Sequence, residues 1–322
     1  MAVMQPKIHV FVKQIIQETP SVKRFVLVSK EDADLPAFSA GSHISTYLNS
    51  AAGTLERHYS LVQAPAITDH YEIAVQLHAQ SRGGSAYWHH QVSEGTELYI
   101  SYPKNHFPLS FRAKHHVFYA AGIGITPFLS MMAELVAQGR SFELHYAAKS
   151  REMCAFYETL QKTYRDSCHL YLSADPDSSP MKPDGMRQQR VGTHVYFCGP
   201  ETMVNQFQEA ARSYGYPQQN IHFELFAPPA PMLREPFLVE LWQSKRTISV
   251  GRDQSLLAAL LAAGIKSPYS CRVGRCGTCA VEVLSGEVAH YDSVLSEKER
   301  AAQDVMMTCV SRAVHNKLVL SL

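Results

Sequence analysis

Cys271-Arg-Val-Gly-Arg-Cys276-Gly-Thr-Cys279, answered further along by Cys309, constrains this chain more than any other stretch. Four thiolates spaced C-x4-C-x2-C and then C can hold two irons bridged by sulfide, the plant-type 2Fe–2S pattern. Gly274 and Gly277 fit a loop that must turn sharply and aim backbone N–H groups at sulfur. A zinc site or a disulfide knot is the alternative. Zinc sites more often repeat C-x2-C pairs, and only one short pair stands here.

A chain of 322 residues leads us to expect two or three domains. Its hydrophobic share of 46% against 18% charged residues suits globular domains with sizeable cores. The formal net charge of +1 leaves no polyelectrolyte footprint, so a nucleic-acid partner is not expected. Cys154, Cys168 and Cys198 remain as an odd set of scattered thiols, which fits a reducing cytoplasm. No signal peptide is expected at the start of the sequence, and no run is long enough to span a membrane.

Residues 1–110 read as a β-rich domain. Short β-branched and aromatic runs at 8–16, 22–28, 43–48, 71–77 and 98–101 are separated by turn residues, which suggests a barrel. Two polar motifs interrupt it. Arg57-His58-Tyr59-Ser60 puts a cation, a ring and a hydroxyl on one strand. Ser81-Arg82-Gly83-Gly84-Ser85 leads into a helix expected over 86–92, where free N–H groups and a hydroxyl could face an anion.

From 111 to 227 the period changes. An apolar strand at 116–121 runs into Gly122-Ile-Gly124-Ile-Thr126-Pro127, and a helix is expected over 128–138. Thr126 is expected to cap it, Pro127 to sit in its first turn and Gly139 to end it. Segments at 142–147, 154–164, 169–173, 194–197, 201–214 and 221–226 then alternate as strands and helices, the pattern of a parallel sheet with crossovers. The glycine motif lacks the third Gly of the usual dinucleotide fingerprint. A second motif, Cys198-Gly199-Pro200-Glu201, also falls where a strand meets a helix, the place where open sheets bind ligands. Residues 228–235 are Pro-rich and read as a semi-rigid linker. Residues 236–322 carry strands at 237–242, 247–250, 280–284 and 318–322, helices at 255–263 and 296–303, and the four cysteines.

Together these motifs resemble the phthalate dioxygenase reductase family over the whole chain: Arg57-x-Tyr59-Ser60, Gly83-Gly84-Ser85, Gly122-x-Gly124-x-Thr126-Pro127, Cys198-Gly199-Pro200 and the four cysteines. The reductase components of vanillate demethylase and carnitine monooxygenase are similar. The resemblance implies a ferredoxin-reductase-type antiparallel β-barrel, a parallel α/β nucleotide-binding domain and a C-terminal β-grasp ferredoxin domain. It implies that Arg57 contacts the flavin phosphate, Tyr59 lies against the isoalloxazine and Ser60 sits near the flavin N5. His58 falls within this motif at a variable position and reads as structural. Gly83, Gly84 and Ser85 match an FMN phosphate loop. Gly122, Gly124, Thr126, Pro127, Cys198, Gly199 and Pro200 match residues that place nicotinamide and pyrophosphate, and Phe226 matches an aromatic near the flavin. The order of domains implies FMN rather than FAD. Ser60, Thr126, Cys198 and Phe226 are thus expected where hydride moves, with Cys271, Cys276, Cys279 and Cys309 on the cluster.

The expected function follows from electron counting. NADH gives two electrons as hydride, a 2Fe–2S centre takes one at a time, and a flavin mediates between them. Plant-type clusters lie near about −400 mV, so donors such as the loop N–H groups, Arg272 and Arg275 are expected to raise the potential. No cysteine begins a C-x-H or C-x2-H pair, so the chain supplies no Rieske centre. The family implies a separate Rieske-type terminal oxygenase as partner. A diiron or P450 acceptor, an FAD enzyme, or a ferredoxin carrier with a degenerate flavoprotein part are the alternatives. Asp175, after the third strand of the sheet, is expected to favour NADH by accepting a hydrogen bond from a ribose hydroxyl.

Overall fold

The computed structural model describes residues 6–50, 53–79, 83–228 and 233–322. Ser81 and Arg82, and residues 229–232 of the expected linker, lie outside the described residues. Two compact units are present, one ending at Leu225 and the other beginning at Phe226.

In the first unit, β1 (Lys7–Thr19), β2 (Val22–Ser29), β3 (His43–Ser50), β4 (Gly53–Ser60), β5 (Tyr71–Gln76) and β6 (Glu97–Ser101) form one antiparallel sheet ordered β4-β3-β6-β1-β2-β5. A bridge between Leu61 and Ile73 joins the two edges and closes a barrel. Alternation along the strands fills it with Val10, Phe25, Ile44, Ile73 and Ile100. Helix α1 (Gly84–His90) adds the fully buried Trp88, which meets Phe25 with ring centroids 4.6 Å apart. This helix starts two residues before the expected position.

The same unit continues through β7 (His115–Ala121), α2 (Thr126–Ala137), β8 (Phe142–Ala148), α3 (Tyr157–Thr163), β9 (Cys168–Leu172), β10 (Thr193–Cys198), α4 (Glu201–Ser213) and β11 (Ile221–Glu224). The strands are all parallel and ordered β11-β10-β7-β8-β9. The central β7 and β10 are almost wholly buried, as befits strands covered on both faces. Their neighbouring helices α2 and α4 supply the two cores. The α2 core also takes in Val22, Ala40, Val62 and Phe107, so barrel and sheet share one apolar interior. At that junction Gly41 N–H donates to Ser130 Oγ at 3.1 Å.

Two local expectations fail here. Thr126 does not cap α2: it is the first helical residue, and its hydroxyl donates to the Ile123 carbonyl at 3.0 Å. A 3-10 turn over Gly122–Ile125 already delivers the chain into the helix, so that end needs no side-chain cap. The helix expected from 154 begins only at Tyr157, because Phe156 takes a left-handed conformation with φ 61°.

In the second unit, β12 (Phe237–Leu241), β13 (Arg246–Val250), β14 (Ala280–Ser285), β16 (Val305–Met307) and β18 (Lys317–Leu320) form a sheet ordered β13-β12-β18-β14-β16. Only the β12–β18 pair is parallel. Helix α5 (Leu256–Ala262) packs across it through Leu256 and Leu260, each fully buried and contributing about 1.5–3 kcal/mol. Ser255 caps α5 by accepting from Ala258 N–H at 3.2 Å. A two-residue pair, β15 (Val288–Ala289) with β17 (Arg312–Ala313), flanks α6 (Glu297–Ala302), which opens on a capping box of Ser296 and Glu299. This is a β-grasp arrangement. No helix among the described residues is long and apolar enough to cross a membrane.

Candidate functional site

In the first unit the chain runs from β7 outward through β8 to β9, then returns to β10 on the other side of β7. The β7–β10 boundary is therefore a topological switch point, the position at which open parallel sheets bind ligands. Both glycine motifs arrive there, since Cys198 at the end of β10 is in register with Ala120 of β7. They touch. A Cβ on Gly124 would lie 2.8 Å from Gly199 N and still closer to the Cys198 carbonyl. A Cβ on Gly199 would come within 3.2 Å of Met203 and Ala121. Cys198, whose carbonyl makes this crossing, and Thr126 are buried, whereas a Cβ on Gly122 would meet nothing within 4 Å. Pro127 occupies the first turn of α2 and Pro200 immediately precedes α4. The contact thus leaves room for a ligand to approach backbone at Gly122 while closing the layer below.

Gly124→Ala tests that contact. Forcing the two backbones apart should destabilise the unit by about 1–3 kcal/mol. We expect KM for NADH to rise at least about tenfold, equivalent to about 1.4 kcal/mol, with flavin content unchanged. Melting and steady-state kinetics that match the parent would show that the crossing of the two motifs has no role.

The barrel motifs also meet. Arg57 lies across Gly84, whose absent side chain makes the space: a Cβ there would fall 2.8 Å from Arg57 Cγ. The guanidinium donates to the Glu56 carbonyl at 2.7 Å, and Ser85 Oγ accepts from His78 N–H at 3.3 Å. A cation, the first amides of α1 and a hydroxyl are thereby gathered at one spot, a fit for a phosphate. Tyr59 meets Trp88 edge-on with centroids 5.8 Å apart, and burial pushes its phenol up. Ser60 ends β4 and is buried. His58 Nδ1 is bonded to Ser45 Oγ at 2.9 Å, and its ring lies edge-on to His43. Asp175 is exposed beyond β9, where its Oδ1 accepts from Asp177 N–H at 3.0 Å.

Phe226 lies two residues beyond β11 and is 47% exposed. It opens the second unit and is described only within it.

In the second unit the four cysteines come together as two pairs. Cys279 and Cys309 are buried with their sulfurs 3.3 Å apart, a hydrogen-bond contact and not a covalent bond. No described cysteine is in a disulfide. Cys276 accepts from Cys271 N–H at 3.4 Å, and Cys271 Sγ accepts from Val273 N–H and Arg275 N–H at 3.5 and 3.3 Å. Hydrogen bonding to Cys271 holds the Cys276 thiol down, and bonding to Cys309 holds Cys279 down. Each pair also feels the charge of the other, Cys309 responding to Cys271 and Cys279 to Cys276.

Gly274 shapes this loop. It has φ 74°, and a Cβ would sit 2.7 Å from Val310 Cγ2 and 3.1 Å from the Asp292 Cα. Asp292 lies behind it, its Oδ2 accepting from Val294 and Leu295 N–H at 3.1 and 2.9 Å. Sequence reasoning did not find Asp292, since one carboxylate in Tyr291-Asp292-Ser293 carries no spacing signal. Of the two expected loop donors, Arg275 contributes its backbone N–H, and Arg272 turns its guanidinium over the Tyr269 ring at 4.4 Å. Convergent sulfurs with amides aimed at them, where a Cβ cannot fit, suit a sulfide-bridged iron pair.

Known proteins resemble both units of the chain. Residues 239–314 match the 2Fe-2S iron-sulfur cluster binding domain, and residues 103–221 match the N-terminal domain of the dimethylamine monooxygenase subunit DmmA-like family. The carnitine monooxygenase reductase subunit of Acinetobacter baumannii is 39% identical over 97% of this chain and 96% of its own length. The heme-dependent oxidative N-demethylase beta subunit of Ectopseudomonas mendocina is also 39% identical, over 99% of this chain and all of its own. Among solved structures, phthalate dioxygenase reductase superposes with a TM-score of 0.79 at 33% identity, covering 98% of each chain. The chain belongs to the phthalate dioxygenase reductase family. It is an oxidoreductase of the flavin and iron–sulfur kind that takes its electrons from NADH.

Proposed function

We propose that this chain is the reductase component of a two-component oxygenase, and that its acceptor is a Rieske-type terminal oxygenase. The observation that carries the reading is the pairing of motifs within each unit: Arg57 over Gly84 and Gly124 against Cys198–Gly199 in one, four convergent sulfurs in the other. Arg57 with the amides of Gly83, Gly84 and Ser85 would hold the phosphate of FMN. Tyr59 and Ser60 would line its ring, and His58 would brace the strand through Ser45. Gly122, Gly124, Thr126, Pro127, Cys198, Gly199 and Pro200 would place the dinucleotide. Asp175 keeps one carboxylate oxygen outside its turn for a ribose hydroxyl, and would repel a 2′-phosphate, so NADH is favoured over NADPH. Cys271, Cys276, Cys279 and Cys309 would hold the cluster. When bound, these groups supply hydride acceptance and single-electron transfer, and the chain supplies their position and electrostatics. The cytoplasm suits the free thiols of Cys154, Cys168 and Cys198.

The test has two parts. Acid release followed by chromatography should yield FMN, and FAD would overturn that assignment. Mixed with NADH and either a Rieske-type oxygenase or a haem monooxygenase, the protein should reduce the Rieske centre preferentially. Faster haem reduction would replace the acceptor class, an outcome made specific by the heme-dependent relative. Substrate oxygenation by this chain alone would overturn the reductase reading.

A further inference from the structure

Alternation along β8 sends Phe142, Leu144 and Tyr146 into the core under α2, and turns Glu143 and His145 to the opposite face. The register then sets His169 of β9 directly beside His145. On this face α4 covers the side of the sheet built from β7, β10 and β11. Residues 173–192, which carry the chain from β9 to β10, contain only a short 3-10 turn at Pro183–Gln188. The β8–β9 end therefore carries imidazole and carboxylate groups where a covering helix would require apolar ones.

We propose that Glu143, His145 and His169 form a binding site for a divalent cation of the zinc class. One ligand atom from each lies within 4.8 Å of the other two, and His145 Nε2 is 3.6 Å from Glu143 Oε2. A tetrahedral ion with bonds of about 2.0–2.2 Å holds its ligand atoms roughly 3.3–3.6 Å apart. His145 and His169 stand stacked, with ring centroids 4.9 Å apart and planes 21° apart, so the exposed His169 ring must turn out of the stack to aim a nitrogen at the same ion. Two imidazoles and one carboxylate select zinc, nickel or copper over calcium or magnesium, which prefer oxygen alone.

Surrounding groups already orient the three. His145 Nδ1 lies 2.8 Å from the Tyr171 hydroxyl, which leaves Nε2 for the ion. Gln189 Nε2 donates to Glu143 Oε2 at 3.1 Å, and His115 Nε2 is 3.2 Å from Oε1. His169 is exposed and provides the way in, with water completing the shell. The ligands stand on strands, a rigid support, and the bound ion ties the edge strand β9 to β8.

Oxidised protein with its iron intact, dialysed against zinc, should take up about one zinc per chain. His169→Ala and Glu143→Gln should each weaken that uptake at least about tenfold. His169 is exposed and Gln matches the shape of Glu, so both variants are expected to fold. Zinc should also slow amide exchange in β9 of the parent and in neither variant. Equal uptake by the parent and both variants, no uptake by the parent, or exchange in β9 indifferent to zinc would each overturn the site.

Discussion

Cys276→Ser is expected to give a protein that keeps its flavin and oxidises NADH with ferricyanide at the parental rate, yet loses its iron and acid-labile sulfide. Electron flow to cytochrome c should fall to the level of slow leakage. The reason lies in the pairing of the sulfurs. Cys276 is the thiol that its hydrogen bond to Cys271 holds down, so its removal leaves Cys271 without its partner and the iron pair without one of its four ligands. The Cys279–Cys309 pair survives but cannot hold two irons alone. The fold should survive too, because the β-grasp core of Phe237, Val239, Leu256 and Leu260 is separate from the cluster-side group of Cys279, Met307 and Cys309. NADH and flavin motifs belong to the other compact unit, whose described core includes none of these residues. Parental rates with cytochrome c in iron-free protein would rule out the route through the four cysteines.

Much of this arrangement is legible in the sequence, and for identifiable reasons. Apolar runs such as Val117–Tyr119 and Val195–Phe197 sit in strands buried on both faces, so their composition alone marks them. Ser255 and Ser296 mark helix starts because their side chains do the capping themselves. Thr126 carries the same signal and misleads, since the preceding 3-10 turn had already set the helix in place. Phe156 is a similar case: nothing in its side chain announces a left-handed residue that delays α3. Contacts across elements were harder still. That Gly84 is small because Arg57 crosses it, and Gly124 because the Cys198–Gly199 peptide does, depends on chain paths that local pattern does not encode. The face bearing Glu143, His145 and His169 emerges only when the β8–β9 register is known.

Acid should weaken the first unit well before its carboxylates titrate. His43 is 7% exposed and faces His58, His106 and Lys104. Burial first, then these neighbours, lowers its pKa from 6.5 to about 3. His116 is fully buried, and burial lowers it to about 4 despite the bond from Nε2 to the Ser110 carbonyl at 2.9 Å. Arg140, His194 and His115 push in the same direction. Both rings are therefore neutral in the folded protein. Above about pH 6.5 the unfolded chain gains no extra protons, and the stability is fully present. As pH falls below that value the unfolded chain takes up protons that the folded one refuses. Stability then declines until the folded values near 4 and 3 are passed. At pH 5 each ring should have cost about 2 kcal/mol, or about 4 together, a large part of the 5–15 kcal/mol typical of a domain. Urea unfolding of the intact protein at pH 7 and pH 5 should show this loss. His116→Gln, which keeps a donor near Ser110 but cannot titrate, should reduce the loss by about 2 kcal/mol, the share of one ring beside His145 and the other buried histidines. An unchanged pH slope in that variant would mean that His116 is not held neutral by its burial.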